Sequence, residues 1–299
     1  MTATELKQGG RAALWESYSR DRGAILVVGH GTRNRSGAAQ LLDLVSQMRA
    51  KAPELKIEGC FLELAQPTIE EAIQMLAQLH ILRILVVPVL LFTAAHARED
   101  IPDAVAPAAR VCGIQIIGQT DSLGTHASVL GLSSSRYDEV IALGRGVACP
   151  AGACARVHCV SGGCEGRGRT LGRVGLAMVG RGTSDLIALD HMRRLTELHV
   201  DGLSITDYET GFFAGGTPSV DALFSQAARW DCDTVIVQPH LLFEGELVEQ
   251  LRMKLLACQK SQPERLWLIA RPLGADPKLA EVFLDLAHDK ILESSVADS

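Results

Sequence analysis

At 299 residues, 47% of them hydrophobic, the chain is long enough to bury a substantial core and to form about two domains. Its net charge of −6, without a basic block interleaved with aromatic residues, argues against nucleic acid as a partner. The first twenty residues are polar and no later apolar run has the length of a membrane span, so we expect a cytoplasmic protein that is not inserted in a membrane.

The first half of the chain alternates short β-branched apolar runs with longer amphipathic ones. Strands are predicted at residues 24–29, 56–62, 83–91 and 113–118, and helices near 35–50, 67–80, 98–110 and after Leu123. The strands are continuously apolar, which is typical of strands buried on both faces. This pattern predicts an α/β domain with a small, mostly parallel sheet covered by helices on both faces.

The second half of the chain repeats the first. The run "VGHGT" from Val28 matches "VGRGT" from Val179, and "PVLLF" from Pro88 matches "PHLLF" from Pro239, in both cases 151 positions later. Strands are predicted again at residues 174–180, 200–208, 233–239 and 265–272. A constant offset over so long a stretch indicates two tandem copies of one domain.

The duplication divides the chain into five segments. They are an N-terminal tail (1–22), a first, catalytic repeat (23–143), a Cys-rich segment (144–171), a second, degenerate repeat (172–292) and a C-terminal tail (293–299). The Cys-rich segment is also rich in Gly and Arg and has no hydrophobic period, which indicates a loop or linker.

Three side chains of the first repeat follow its predicted strands. His30 comes directly after the first strand, Glu63 ends the second, and His96 comes shortly after the third. Because ligands of open parallel sheets bind at the carboxyl ends of the strands, we expect all three side chains at one rim. Two imidazoles and a carboxylate can bind Fe²⁺, Co²⁺, Ni²⁺ or Zn²⁺ and can accept protons near neutral pH.

The second repeat lacks all three groups. At the 151-residue offset the candidates are replaced by Arg181, Ala214 and Leu247, although the surrounding Gly, Phe and Pro residues are kept. Residues that only support the fold would be expected to persist with it, so the joint loss favours a functional role in the first repeat. Independent drift of both repeats is the alternative.

Four cysteines recur at every fifth position between the repeats: Cys149, Cys154, Cys159 and Cys164. In a reducing compartment, thiols at regular spacing favour metal coordination over disulfides. The spacing is neither the paired one of zinc ribbons nor a common ferredoxin one. We expect an iron–sulfur cluster, above all [4Fe–4S], with structural zinc and a metal-free loop as alternatives.

The first repeat contains three further phrases: "GHGTR" at 29–33, "FLELAQPTIEEAI" at 61–73 and "VPVLLFTAAHAREDIP" at 87–102. Together they resemble the class II tetrapyrrole chelatases of the sirohydrochlorin cobaltochelatase (CbiX) and ferrochelatase (SirB) type. The resemblance covers both repeats but departs from a doubly active form, because the second copy lacks both histidines. It implies a chelatase-like fold and the insertion of a divalent metal into sirohydrochlorin, a tetrapyrrole that carries many carboxylates.

By this resemblance, His30 and His96 hold the incoming metal or accept the pyrrole protons, and Glu63 assists proton removal or completes the metal's coordination. Arg33, beside the start of the next helix, could bind a carboxylate of the substrate. The expected metal is Co²⁺, for cobalamin synthesis, with Fe²⁺ and siroheme as the near alternative. Some longer members of this family are associated with iron–sulfur centres.

Two other functions remain open at this point. A non-haem iron enzyme would use the same three residues to retain Fe²⁺ for oxygen chemistry. An iron–sulfur sensor or tetrapyrrole carrier would depend on the Cys-rich segment and not on His30. The sequence assigns no functional role to five other histidines: His80, His191, His199, His240 and His288.

Overall fold

The computed structural model describes residues 3–92, 95–144 and 171–297, and the chain divides into two compact units. The first unit comprises Met1–Gly124 and Ala275–Ser299, and the second comprises Thr125–Gly274. Each unit contains a four-stranded sheet with flanking helices. The α/β class and the duplication predicted from the sequence are therefore confirmed.

The first unit is built on a fully parallel sheet. Its strands are β1 (Gly23–Gly29), β2 (Lys56–Phe61), β3 (Arg83–Pro88) and β4 (Gln115–Gln119), in the order β2-β1-β3-β4. Its helices are α1 (Ala3–Arg20), α2 (Arg35–Lys51), α3 (Ile69–Gln78), α4 (Ala95–Cys112) and α9 (Pro277–Ala297). Every residue of β1 is buried, since this strand lies between two others and is packed against helices, which explains its unbroken apolar sequence.

The second unit repeats this arrangement. Its strands are β5 (Val174–Gly180), β6 (Ile205–Phe212), β7 (Thr234–Pro239) and β8 (Leu266–Ile269), in the order β6-β5-β7-β8 and again all parallel. Its helices are α5 (Ala127–Gly144), α6 (Leu186–Val200), α7 (Val220–Ala227) and α8 (Glu246–Ser261). The helix after β2 and the helix after β6 both begin at a hydroxyl cap, Thr68 and Ser219, whose oxygens accept backbone N–H groups of the first turn.

The last helix of each repeat packs in the unit formed by the other repeat. Helix α5 belongs to the first repeat in sequence but contacts β7 and β8, and its Arg136 Nη2 donates a 2.6 Å hydrogen bond to the Leu273 carbonyl. Helix α9 contacts α2, β3 and β4, and Glu281 forms a 2.6 Å ion pair with Lys51 of α2. Each structural unit thus contains the last helix of the other sequence repeat. The predicted repeat boundaries describe the duplication and not the structural units.

The N-terminal segment forms a helix that the sequence pattern did not predict. Helix α1 packs against β1 and buries Trp15 and Tyr18, and Arg11 forms a 2.7 Å ion pair with Asp285 of α9. Among the side chains of α1 that the structure describes, Trp15 and Tyr18 are the buried ones, so the segment reads as polar although it is part of the first unit.

The core of the second unit contains polar side chains at positions where the first repeat is apolar. Buried there are Thr196, His199, Thr210, Gln238 and His240, and the residues 151 positions earlier are Val45, Met48, Gly59, Val87 and Val89. Helix α5 supplies hydrogen-bond partners, since Gln238 Nε2 donates to the Ser133 carbonyl at 2.8 Å and His199 Nδ1 lies 3.3 Å from Ser134 Oγ. These hydrogen bonds offset part of the cost of burying polar side chains in this core.

Within the described ranges, no helix combines the length and apolarity needed to cross a membrane. The cytoplasmic location stays a prediction.

Candidate functional site

The backbone brings two of the predicted site residues together at the carboxyl ends of β1 and β2. Leu62 N–H donates to the Gly29 carbonyl at 2.8 Å, and Glu63 N–H donates to the His30 carbonyl at 3.0 Å. The loops after these neighbouring parallel strands are thereby held side by side. His30 Nε2 lies 3.3 Å from Glu63 Oε1.

Gly31 is required where these two loops meet. Its φ of +102° is in a region that side-chain-bearing residues rarely adopt, and a Cβ atom at this position would lie 1.7 Å from the Glu63 carbonyl oxygen. Gly182 is its counterpart in the second unit, with a φ of +81° and a Cβ position 1.9 Å from the Ala214 carbonyl oxygen. The two glycines of the repeated motif therefore serve the same close approach of two loops.

The imidazole and the carboxylate remain open to solvent. The side chains of His30 and Glu63 are 43% and 52% exposed. An imidazole nitrogen and a carboxylate oxygen at this separation can bind one divalent cation or exchange a proton. A solvated pair of this kind releases a metal more readily than a closed four-ligand site does.

His96, the third predicted ligand, belongs to the first turn of α4, which follows β3. Its side chain lies outside the described residues, as do the four predicted cluster ligands Cys149, Cys154, Cys159 and Cys164. Among the side chains that the structure does describe, no three His, Cys, Asp or Glu residues form a metal-binding group. The predicted roles of His96 and of the four cysteines therefore remain predictions.

Arg33 lies on the same rim, exposed, in the loop that leads into α2. Asn34 shapes this loop, since its N–H donates to Thr32 Oγ1 and its Oδ1 accepts the Gly37 N–H, both at 3.1 Å. Arg35, the first residue of α2, is a second exposed cation that the sequence analysis did not consider. The alternation of Arg, Asn and Arg around a predicted helix start was the signal that could have identified it.

Leu64 is a second residue of this rim that the sequence analysis did not single out. It follows Glu63 with a left-handed φ of +61°, and 51% of it is exposed. A leucine in this conformation carries a strain of roughly 1–2 kcal/mol, because its Cβ atom crowds the following carbonyl group. The second repeat has Gly215 here, with a φ of +66°.

The corresponding rim of the second unit keeps the backbone and lacks the chemical groups. Ala214 N–H donates to the Arg181 carbonyl at 3.1 Å, as Glu63 N–H does to His30, and Arg181 and Ala214 are exposed. Leu247, at the position equivalent to His96, lies in the first turn of α8. The second rim therefore keeps this hydrogen bond between its two loops although it lacks the three candidate groups.

Two solved structures share this fold. SirB from Bacillus subtilis with Fe³⁺ superposes with a TM-score of 0.71 at 23% identity, over 91% of this chain and 97% of SirB. SirB from Bacillus subtilis subspecies spizizenii in complex with cobalt gives a TM-score of 0.66 at 24% identity, over 90% of this chain and 94% of SirB. The fold and the rim thus define a two-repeat α/β protein of the chelatase-like class.

The CbiX family model matches residues 24–140 and 175–290, and the chain belongs to the CbiX family. A sirohydrochlorin ferrochelatase of Priestia megaterium is 26% identical over 274 residues, which cover 91% of each chain. A sirohydrochlorin cobaltochelatase of the same organism is 24% identical over 268 residues, which cover 89% of this chain and 79% of the relative. The resemblance inferred from the sequence is confirmed.

Proposed function

We propose that this protein is a sirohydrochlorin chelatase, a lyase that inserts a divalent metal ion into sirohydrochlorin and uses His30, Glu63 and His96 as its working groups. The observation that carries the proposal is the 3.3 Å separation of His30 Nε2 and Glu63 Oε1 on an open rim. The names of the relatives, sirohydrochlorin ferrochelatase and cobaltochelatase, support the substrate.

Metal insertion needs a metal ligand and a base at one place. As the metal binds the four pyrrole nitrogens, two pyrrole N–H protons leave, so the products are the metallated tetrapyrrole and two protons. His30, together with His96, delivers the metal or accepts a proton, and Glu63 takes up a proton or completes the metal's coordination. The exposure of His30 and Glu63 supports loose binding, which a metal that must be handed on requires.

We assign Co²⁺ as the metal substrate, which makes the protein a cobaltochelatase of cobalamin biosynthesis. Fe²⁺, for siroheme, is the near alternative, since nitrogen and carboxylate ligands accept both ions. Relatives of both kinds are known, and the two SirB structures contain Fe³⁺ and cobalt. Competition between Co²⁺ and Fe²⁺ in one anaerobic reaction would decide the assignment.

Arg33 is proposed to bind a carboxylate of sirohydrochlorin. Its exposure beside the His30 loop supports this role, and Arg35 offers a second cation on the same rim. Guanidinium groups bind carboxylates through paired hydrogen bonds. Replacement of either arginine by Gln is expected to raise the KM for sirohydrochlorin more than it lowers kcat.

The Cys-rich segment is proposed to hold an iron–sulfur cluster through Cys149, Cys154, Cys159 and Cys164. The regular spacing of four thiols in a glycine-rich segment is what supports it. Anaerobically purified protein should then show visible absorbance and acid-labile sulfide, and both should vanish when the four cysteines are replaced by Ser. One bound zinc ion instead of iron and sulfide would favour the structural alternative.

The test of the proposed function is anaerobic metallation of sirohydrochlorin by the wild type, His30→Ala and His96→Ala. Each variant is expected to lose activity on the order of 100-fold or more, because it lacks a metal ligand or base. His191→Ala is the matched control, since His191 is an exposed histidine on α6 of the second unit. Full activity in both site variants would refute the mechanism.

The same assay separates the other two functions. A non-haem iron enzyme would retain Fe²⁺ and consume oxygen without any tetrapyrrole. A sensor or carrier would bind the tetrapyrrole without metallating it, and His30→Ala would not change that binding.

A further inference from the structure

Leu64 has an unusual backbone for its residue type and position. In the described part of the chain, Arg22 and His80 are the other non-glycine residues with positive φ, and each lies in a turn just after a helix, α1 and α3 respectively. A left-handed residue is common at such helix ends. Leu64 lies between β2 and α3, on the rim and next to Glu63.

The fold does not need a leucine at this position. Gly215 takes the same left-handed conformation in the second repeat, and the loop is closed by the same hydrogen bond, from Ala65 N–H to the Glu63 carbonyl in one copy and from Gly216 N–H to the Ala214 carbonyl in the other, each 2.8 Å long. Glycine adopts this conformation without strain. The first repeat therefore carries a strained side chain that its own duplicate omits.

Burial does not offset the strain. Half of Leu64 is exposed, so the residue gains only part of the stabilisation that a buried leucine contributes. Strained residues that the packing does not explain occur preferentially at ligand sites. The cost is explained if the side chain contacts something other than the rest of this unit.

The two rims also differ in the space they leave at this position. A Cβ atom on Gly215 would lie 2.1 Å from the Thr183 carbonyl oxygen, so the second rim has no room for a side chain there. The first rim does accommodate the side chain of Leu64, beside the His30 and Glu63 pair. The apolar side chain and the metal-binding groups therefore occur together in one copy and are absent together from the other.

We infer that Leu64 contacts the face of the bound tetrapyrrole and seats the macrocycle over His30 and Glu63. The inference rests on the proposed function. A tetrapyrrole combines a flat apolar ring with charged carboxylates at its edge. Arginine side chains can bind the carboxylates at the edge, whereas an exposed aliphatic side chain beside the metal-binding pair can pack against the ring face.

Three substitutions distinguish the effect of the Leu64 side chain from the effect of its backbone conformation. Leu64→Gly and Leu64→Asn keep a residue that tolerates the left-handed conformation and remove the apolar group, whereas Leu64→Met keeps an apolar side chain. Leu82→Asn is the matched control, because Leu82 is 50% exposed but precedes β3, at the opposite end of the sheet.

Binding of metal-free sirohydrochlorin is measured by absorbance titration, together with kcat and KM for metallation and the Tm of each variant. We expect Leu64→Gly and Leu64→Asn to bind about tenfold more weakly, with KM raised in proportion and kcat within about twofold of wild type, as the loss of one apolar contact implies. Leu64→Met and Leu82→Asn should bind like wild type, and no Leu64 variant should have a lower Tm.

Wild-type binding by Leu64→Asn would overturn the inference, and so would a lowered Tm with unchanged affinity of the folded fraction. Either result would leave the proposed function standing as long as the wild type metallates sirohydrochlorin. A wild-type protein that neither binds nor metallates sirohydrochlorin would instead refute the proposed function.

Discussion

Acid should destabilise the second unit, and replacing His240 should remove much of this effect. His240 directly follows β7 and is only 1% exposed. Burial lowers the pKa of its imidazole to about 3, and the nearby His199 contributes to the same shift. His240→Val introduces the residue that the first repeat has at Val89.

The size of the effect follows from the difference between the two states. An imidazole in the unfolded chain has a pKa of about 6.5, so between pH 6.5 and pH 3 the unfolded state binds a proton that the folded state excludes. The stability that depends on a neutral His240 is therefore fully present above pH 6.5 and is lost as the pH falls towards 3. For His240 alone, the free energy of unfolding at pH 5 should be lower than at pH 7.5 by about 2 kcal/mol.

Urea unfolding at pH 7.5, 6.5 and 5 measures this loss, with tryptophan fluorescence as the reporter. Two of the three tryptophans, Trp230 and Trp267, belong to the second unit. A Trp15→Phe background therefore restricts the signal to that unit. His240→Val should remove about 2 kcal/mol of the acid-induced loss, whereas His191→Ala, at an exposed histidine, should leave the loss unchanged.

Some acid sensitivity should survive the substitution. Burial also lowers the pKa of His199, which is 2% exposed. An acid-induced loss in His240→Val equal to that of the parent would refute the assignment of the effect to this buried imidazole.

Three further predictions concern the rims. Gly31→Ala should lower both the Tm and the metallation rate, because its Cβ would lie 1.7 Å from the Glu63 carbonyl oxygen; unchanged values in thermal melts and assays would contradict the close approach. Glu63→Gln should weaken Co²⁺ binding roughly 10- to 100-fold in calorimetry and leave sirohydrochlorin binding intact, and equal losses of both would argue for a general disruption of the rim. Arg181→His combined with Ala214→Glu, in a His30→Ala background, should restore Co²⁺ binding, since the second rim keeps the hydrogen bond that joins the two loops; no gain in calorimetry would show that this loop contact is insufficient.

The sequence by itself determined the architecture of each repeat and the placement of His30 and Glu63 in the site. Continuous apolar runs predict buried parallel strands because only such strands are covered on both faces. Parallel neighbours end at the same edge of the sheet, so His30 and Glu63 could be placed together although they are 33 positions apart. The duplication showed which groups the framework could lose.

The tertiary structure alone decided which helix covers which sheet and in what surroundings Leu64 and His240 lie. An apolar face shows that a helix packs against something, but it does not show which sheet covers the helix. The exchange of α5 and α9 therefore left no local signal in the sequence. Leu64 and His240 look ordinary in the sequence. The left-handed φ of Leu64 and the burial of His240 depend on residues that folding brings near. Only the folded structure therefore shows that Leu64 is strained on the rim and that the core of the second unit is sensitive to acid.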